Sequence, residues 1–470
     1  MTAAPSYAPA IPQETEPPPL MKFAFLCFCI FNVANYSRIF EWQLVWLHVP
    51  LITSSIALLG AAMEGRLLRA FSTRIGMCMA ALTALYAVNI VFSSWRGGSV
   101  GVFTGEWLKS LLVFSIATAL IFTFRQCCSA INSIGWGTGI ASLLVIFTGG
   151  MIQGRLSVGA RGATFGNANA IALDMLLGLP CLWLMIKDSN SGKLKKLIAP
   201  CLMASSVYAL LQTGSRAGLI GFVVLVLLLF VRASAGGKIV MIVAGILAVA
   251  CAVTILPSSV KLRYLSIFSG SEAGELAQQE GANIGGAVES AEGRRIILLR
   301  SLELSLKHPI FGVGIGQFAS FEAKTAINGG SRAAWLGTHN TYTQVSSEAG
   351  LPALILFLSI ILLSFKGLRA LSKRARRIAA QGKQVRDVSN VAFALTATLT
   401  AYAICVFFDF VAYGTILPTL AAFTIALTRC GNLELDRLEQ AAVPQPDRRI
   451  ALPTAPYAGW ARPMRPAVYR

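Results

Sequence analysis

Apolar runs of about 20 residues recur along this chain, and each is long enough to cross a bilayer as a helix. Twelve such runs can be marked: 22–39, 44–63, 76–94, 107–124, 133–152, 167–186, 195–212, 216–232, 238–257, 344–365, 388–410 and 413–429. The clearest lies in the eighth and reads GLIGFVVLVLLLF. Only 13% of the residues are charged, where a soluble domain carries about 25%. The expected fold is therefore all-α: a polytopic membrane protein of about twelve transmembrane helices, with one long polar loop after the ninth.

The loops fix an orientation. With the N-terminus in the cytoplasm, the even-numbered gaps hold eighteen Lys and Arg, among them Arg66, Arg69, Arg74 and the cluster from Lys366 to Arg386. The short odd-numbered gaps hold five: Arg38, Arg96, Arg155, Arg161 and Arg216. Basic residues concentrate on the cytoplasmic side of membrane proteins. Both ends are thus expected in the cytoplasm and loop 258–338 outside. The organisation expected is a disordered Pro-rich tail over 1–20, nine spans over 21–257, an outer loop domain over 258–338, three spans over 339–430 and a disordered tail over 431–470. No small-residue cleavage site follows the first run, which is read as a retained helix.

The formal charge of +19 does not point to nucleic acid, because the cations sit in loops between apolar runs and form no aromatic-interleaved stripe. The ten Cys lie in or beside the apolar runs and the polar loop has none, so no disulfide framework is expected. No two His have ligand spacing and no DxD pair occurs, which argues against a metal-dependent sugar-nucleotide transferase.

Within the long loop, residues 293–307 (GRRIILLRSLELSLK) read as an amphipathic helix, with Ser290 or Glu292 near its start. HPIFGVGIGQF follows, where Pro309 and three glycines force turns. GVGIGQF lacks the spacing and the Lys of a nucleotide loop, and reads as a tight turn against the membrane.

Arginine on the outer face runs against the charge bias and needs a reason. Arg161 lies in RGATFGNANA, Arg216 in TGSRAGLIG, and Arg294 and Arg295 at the head of the loop helix. A guanidinium binds phosphate oxygens bidentately, so several converging on one cleft make a diphosphate site. The same residues can equally snorkel at the interface or pair with a carboxylate. His339, in THNTY, stands where an outer loop enters a span; a neutral imidazole there can take a proton from a hydroxyl, or simply cap the helix. His308 and His48 read as turn and interfacial residues. Glu348 and Asp174 are acids inside apolar runs, candidates for function or for a buried pair with Arg. Nine residues past His339, Glu348 would point away from it on a continuous helix. Asp174 shares a helical face with Asn167.

Together, FGNANA (165–170), TGSRAGLIG (213–221), GR followed fourteen residues later by HPIFGVGIGQF (293–318) and HNTYTQVSSEAGLPALILFL (339–358) resemble the O-antigen ligase and polymerase superfamily. The resemblance covers roughly residues 150–365 and lies in the order of the motifs around the long outer loop. Ala168 stands where the family's motif carries Pro, and Asp174 where it carries an uncharged residue. The resemblance implies a metal-independent, inverting glycosyltransferase of the bacterial inner membrane that needs no cofactor. Its donor would be a glycan on undecaprenyl diphosphate and its acceptor a sugar hydroxyl, of lipid A–core for a ligase or of another glycan for a polymerase. The family's catalytic residues map onto Arg216, Arg294 and His339. Arg161, Asn167, Asn169 and Glu348 are the expected substrate-binding residues. A twelve-span transporter is the rival of a different class: segment 64–76 resembles a basic transporter loop, but it lacks the Asp, and the long loop falls after the ninth span rather than centrally.

Overall fold

The computed structural model describes residues 18–42, 44–152, 154–158, 167–188, 192–269, 285–329, 336–378 and 383–442. Helix α1 (Pro19–Ser37) leads through a short α2 (Ile39–Trp42) to α3 (Val49–Met63) and α4 (Arg74–Phe92). α5 (Arg96–Val102) runs through a π-turn (Phe103–Trp107) into α6 (Leu108–Leu120), and α7 (Phe124–Thr148) comes next. A hairpin, β1 (Gly150–Ile152) and β2 (Arg155–Ser157), interrupts the helices. Then come α8 (Ala168–Lys187), α9 (Lys193–Gln212), α10 (Arg216–Arg232), α11 (Ala235–Ile255) and α12 (Ser258–Ser269). The chain closes with α13 (Gly285–Lys307), α14 (Phe318–Asn328), α15 (Thr341–Ala349), α16 (Leu351–Arg377), α17 (Lys383–Cys405) and α18 (Ile416–Ala442).

Ten helices among the described residues are long and apolar enough to cross a membrane. The remaining two expected runs fall on α10 and α11. Residues 242–250 of α11 are exposed without a break, among them Ile242, Val243, Ile246, Leu247 and Val249, so the helix is uncovered all round its axis. Apolar surface of that extent is covered by lipid, not water. The chain is a multi-pass, all-α membrane protein, with one hairpin among the described residues.

The core forms where α1, α6, α7, α8, α16, α17 and α18 pack against one another. Local chemistry sets the helix starts. Thr123 and Gln126 make a capping box at the head of α7, each side chain accepting the other's backbone N–H at 3.1 Å. α8, α10 and α15 begin at Asn167, Ser215 and Asn340, whose side chains accept from Asn169 N, from Gly218 N, and from Tyr342 N and Thr343 N.

Four sequence expectations need correction. The fifth span ends at Thr148, and the residues after it form the hairpin, in which Gly150 pairs with Ser157 and Ile152 with Arg155. The fourth begins at Arg96, because the Gly-rich RGGSVG segment is helical. The loop helix begins eight residues earlier than Gly293. The tenth span is two helices, broken at Gly350, whose φ of 88° belongs to the left-handed half of conformational space.

The Gly312–Phe318 turn docks between α4, α5 and α15. Val313 N and Gly314 N donate to the Ser347 and Glu348 carbonyls at 2.9 Å, and Ile315 N to Asn89 Oδ1 at 2.9 Å. Gly312, Gly314 and Gly316 all have positive φ, and a Cβ on Gly314 would overlap the Ser93 hydroxyl. Glu348, 3% exposed, ties the turn down. Its carboxylate accepts from Gly316 N (3.0 Å), Phe318 N (3.1 Å) and the Tyr413 hydroxyl (2.7 Å). Expected as a partner of an Arg, Glu348 instead holds backbone N–H groups of the turn. Asp174 also lacks the Arg pairing considered for it: its Oδ2 has no hydrogen-bond partner among the described residues, and Arg38 pairs with Glu41.

Removing the Glu348 carboxylate strands three donors, and an orphaned buried donor costs about 1–3 kcal/mol. Glu348→Ala should lower the unfolding midpoint in detergent by several degrees, with Glu348→Gln, which keeps one acceptor, in between. Equal midpoints for wild type and Glu348→Ala would remove this residue from its place in the turn.

Candidate active site

The turn between α9 and α10, Thr213–Gly214–Ser215, is the hub of the site. Gly214 has a φ of 57°, and a Cβ there would lie 3.1 Å from Arg263 Cδ and 3.9 Å from Arg155 Cγ. Two arginines from distant segments thus flank the turn that launches Arg216: Arg155 from β2 and Arg263 from α12. Arg155 is held by two bonds, from Nε to the Thr213 carbonyl (2.9 Å) and from a terminal nitrogen to Asn169 Oδ1 (2.7 Å). The same Asn169 oxygen accepts from the Ser215 hydroxyl at 3.0 Å. Tyr264 donates to the Leu211 carbonyl at 2.8 Å and so fixes α12 against the end of α9.

Arg294, from α13, completes the group. Burial pushes the Arg155 guanidinium down to about 10, helped by the charges of Arg263, Arg294 and Arg216. Arg263 is pushed down by burial, then by Arg216 and Arg294. Burial and Arg216 lower Arg294, while Asp409 opposes them. Four cations from β2, α10, α12 and α13 therefore lie near enough to repel one another. All stay charged at neutral pH, so the site presents concentrated positive potential.

His339 sits beside this group. It has a φ of 50° and is half-buried, one residue before the cap of α15. Its ring stands edge-on to Phe410, with centroids 5.1 Å apart. The 338–341 segment is pinned to the loop after α17: Thr341 N donates to the Val406 carbonyl and its hydroxyl to the Asp409 carbonyl, both at 2.8 Å. Burial, then the Arg294 charge, hold the imidazole below its ordinary pKa. It is thus neutral at pH 7, the form that accepts a proton.

Asp409 is the acid of this corner. It is 6% exposed; Oδ1 accepts from Phe410 N at 2.9 Å, and Oδ2 is buried without a hydrogen-bond partner among the described residues. Burial raises its pKa, against the Phe410 N–H and the Arg294 charge. Arg294 is accordingly in electrostatic reach of the arginine group, His339 and Asp409 alike.

The structure brings Arg216, Arg294 and His339 together and adds Arg155, Arg263 and Asp409. In the sequence Arg155 stands out only as an outer cation, and Arg263 is one Arg in a polar loop; nothing local marks either. Asp409 does carry a signal, as an acid in the apolar run VFFDFVAYG. Of the expected substrate-binding residues, Asn167 caps α8, Asn169 orients Arg155, and Glu348 holds the glycine turn. Arg161 lies outside the described residues. Arg295 is exposed, and His308 packs edge-on against Phe321 in a turn. Among the described residues, no three His, Cys, Asp or Glu side chains gather as a metal site.

A search of curated proteins finds no match to the chain. Residues 201–358 match the family described as O-antigen ligase (Wzy_C). That stretch contains Arg216, Arg263, Arg294 and His339, while Arg155, Asn169 and Asp409 lie on either side of it. Over this segment, about a third of its length, the chain is similar to the O-antigen ligase family, and the helical membrane fold around the segment agrees with that likeness.

Proposed function

We propose that the chain is a glycosyltransferase that moves a glycan from a polyprenyl diphosphate carrier to a sugar hydroxyl, at the face of the bundle where Arg216 and His339 lie. The observation that carries this reading is the convergence of four mutually repelling guanidinium groups next to a neutral imidazole. A diphosphate is a compact multivalent anion that relieves such repulsion and accepts several bidentate contacts. Basic groups poised where a leaving diphosphate gathers charge stabilise the transition state, by about 3–4 kcal/mol for a single well-placed donor.

In the step proposed, the acceptor oxygen attacks the anomeric carbon, and the bond from that carbon to the diphosphate oxygen breaks. The acceptor proton passes to His339, and the electron pair leaves with the diphosphate, held by Arg216, Arg294, Arg155 and Arg263. Attack opposite the leaving group inverts the anomeric centre. The charge balance of this step is met by side chains alone, which fits a donor already activated by its diphosphate. An apolar groove of ≈ 410 Å³ between α9 and α11, reaching Leu211 and Leu256, adjoins the arginine group and suits a prenyl chain.

The reading preferred is a ligase, which the name of the matched family supports; lipid A–core as its acceptor and the periplasmic side of a bacterial inner membrane as its location are parts of the proposal. A polymerase would use the same residues on a lipid-linked acceptor. A deletion strain separates the two: long chains accumulating on the carrier indicate a ligase, single repeat units a polymerase.

Purified protein with a lipid-linked glycan and acceptor tests the chemistry. Arg216→Ala and Arg294→Ala should each lower turnover by about 10²–10³-fold, and His339→Ala by about 10²–10⁴-fold. Turnover near wild type in Arg216→Ala and His339→Ala would sink the mechanism.

The pH profile carries a second expectation. The depressed His339 pKa places the acid limb of turnover below 6.5, with the rate lost only as pH falls through that lower value. In Arg294→Gln the limb should move upward, because a positive neighbour has gone. A limb that stays put would show that His339 does not feel Arg294.

A further inference from the structure

At the other end of the bundle, the basic segment 64–76 plays no part in the arginine site. α4 runs from Arg74 to Phe92, whose neighbours Ser93 and Ser94 touch the glycine turn. At 1.5 Å per residue its start lies roughly 27 Å from that turn. There a cavity of ≈ 590 Å³ opens between the 69–75 turn, α6, α16 and α18. Four cations line it, Arg69, Arg74, Lys366 and Arg429, and no carboxylate is among the described lining residues. The nearby acids are engaged elsewhere: Asp436 and Glu439 with Arg374, and Glu64 with Arg66.

The cations act on one another. The Arg429 charge, ahead of burial and Arg66, holds Arg69 below its usual pKa. Arg429 is itself anchored, donating to the Thr118 and Ile121 carbonyls where α6 ends. The cavity's other wall is apolar and includes Leu363 and Ile425. A basic rim over an apolar wall, set between membrane-spanning helices, matches a molecule with an anionic head and a hydrocarbon body. Ordinary charge bias explains cations on loops at this end. It does not explain four of them turned onto a single cavity.

We propose that this cavity binds a phosphate ester, with the phosphate among Arg69, Arg74, Lys366 and Arg429, as the head of an anionic membrane phospholipid. The ligand does not take part in the reaction at the opposite face. Its role is to bridge α4, α16 and α18, which otherwise repel one another at this end.

The test uses the full chain, delipidated in detergent and titrated with phosphatidylglycerol, with zwitterionic phosphatidylcholine, and with soluble glycerophosphate, read by native mass spectrometry and by the unfolding midpoint. Phosphatidylglycerol should bind and raise the midpoint, and the Arg69→Gln/Lys366→Gln variant should bind it about tenfold more weakly. Arg69→Lys, which keeps the charge, should restore most of the binding. Glycerophosphate binding as well as the lipid supports a phosphate site whose natural ligand is soluble; binding of the lipid alone assigns it to the membrane. Equal binding of phosphatidylglycerol and phosphatidylcholine, or a double variant indistinguishable from wild type, overturns the proposal. Loss of binding in Arg294→Gln overturns it too, by placing the lipid at the other end.

Discussion

The arrangement of the candidate site depends on one unfavourable interaction, the mutual repulsion of Arg155, Arg216, Arg263 and Arg294. Two like charges about 4 Å apart near a protein surface repel by roughly 4 kcal/mol at an effective dielectric of 20. Such a group stays assembled only if its members are fixed by bonds that do not depend on their charge. Arg155 shows how: a backbone carbonyl and the Asn169 amide hold it from one side. Asn169 in turn is shared with Ser215, the residue that starts the helix bearing Arg216. One amide oxygen thus sets the spacing between two of the four cations. A multivalent anion bound among the four guanidinium groups would offset this repulsion.

Helix ends add to the same field. The motifs FGNANA, TGSRAG and HNTY look unrelated as strings, yet each contains the cap of a helix: Asn167 for α8, Ser215 for α10 and Asn340 for α15. The start of a helix carries about half a positive charge and leaves backbone N–H groups unpaired. α8 and α10 are tied at their starts through Asn169 and Ser215, so both positive ends lie at the arginine group. This gives a physical reason for the asparagines: they position the positive ends and, in Asn169, the guanidinium.

Hydropathy made the membrane helices legible, because its signal is local and long; every one of the twelve runs overlies a helix. The breaks within those runs were not, because they arise from contacts between distant segments. Gly350 ends α15 where Leu351 N reaches the Pro309 carbonyl at 2.7 Å, a partner 42 positions away that no window of sequence displays. The same limit divides the site residues. Arg216, Arg294 and His339 were readable from topology and motif resemblance. Arg155 and Arg263 were not, since what selects them is proximity to the bend at Gly214. Glu348 stands out for the right reason, an acid in an apolar run, but its partners are backbone N–H groups, which have no identity in a sequence.

The central position of Arg294 comes from where its helix packs. Ser305 of α13 meets Ser346 of α15 hydroxyl to hydroxyl at 2.7 Å, and Arg300 bonds Glu322 at 2.9 Å, joining α13 to α14. Those contacts leave the middle of α13 near the start of α15, so Arg294 lies within reach of the arginine group and of His339 with Asp409. In the transfer proposed above, a charge in that place would couple the two halves of the displacement. It would draw the leaving anion toward the cations and keep the imidazole unprotonated where the attacking hydroxyl gives up its proton. As the reaction proceeds, the imidazole gains positive charge beside Arg294, which is unfavourable alone. The Asp409 carboxylate, within reach of the same guanidinium, and the anion forming on the far side both offset that cost. On that proposal the part of Asp409 is to balance charge on Arg294, and through Arg294 on His339.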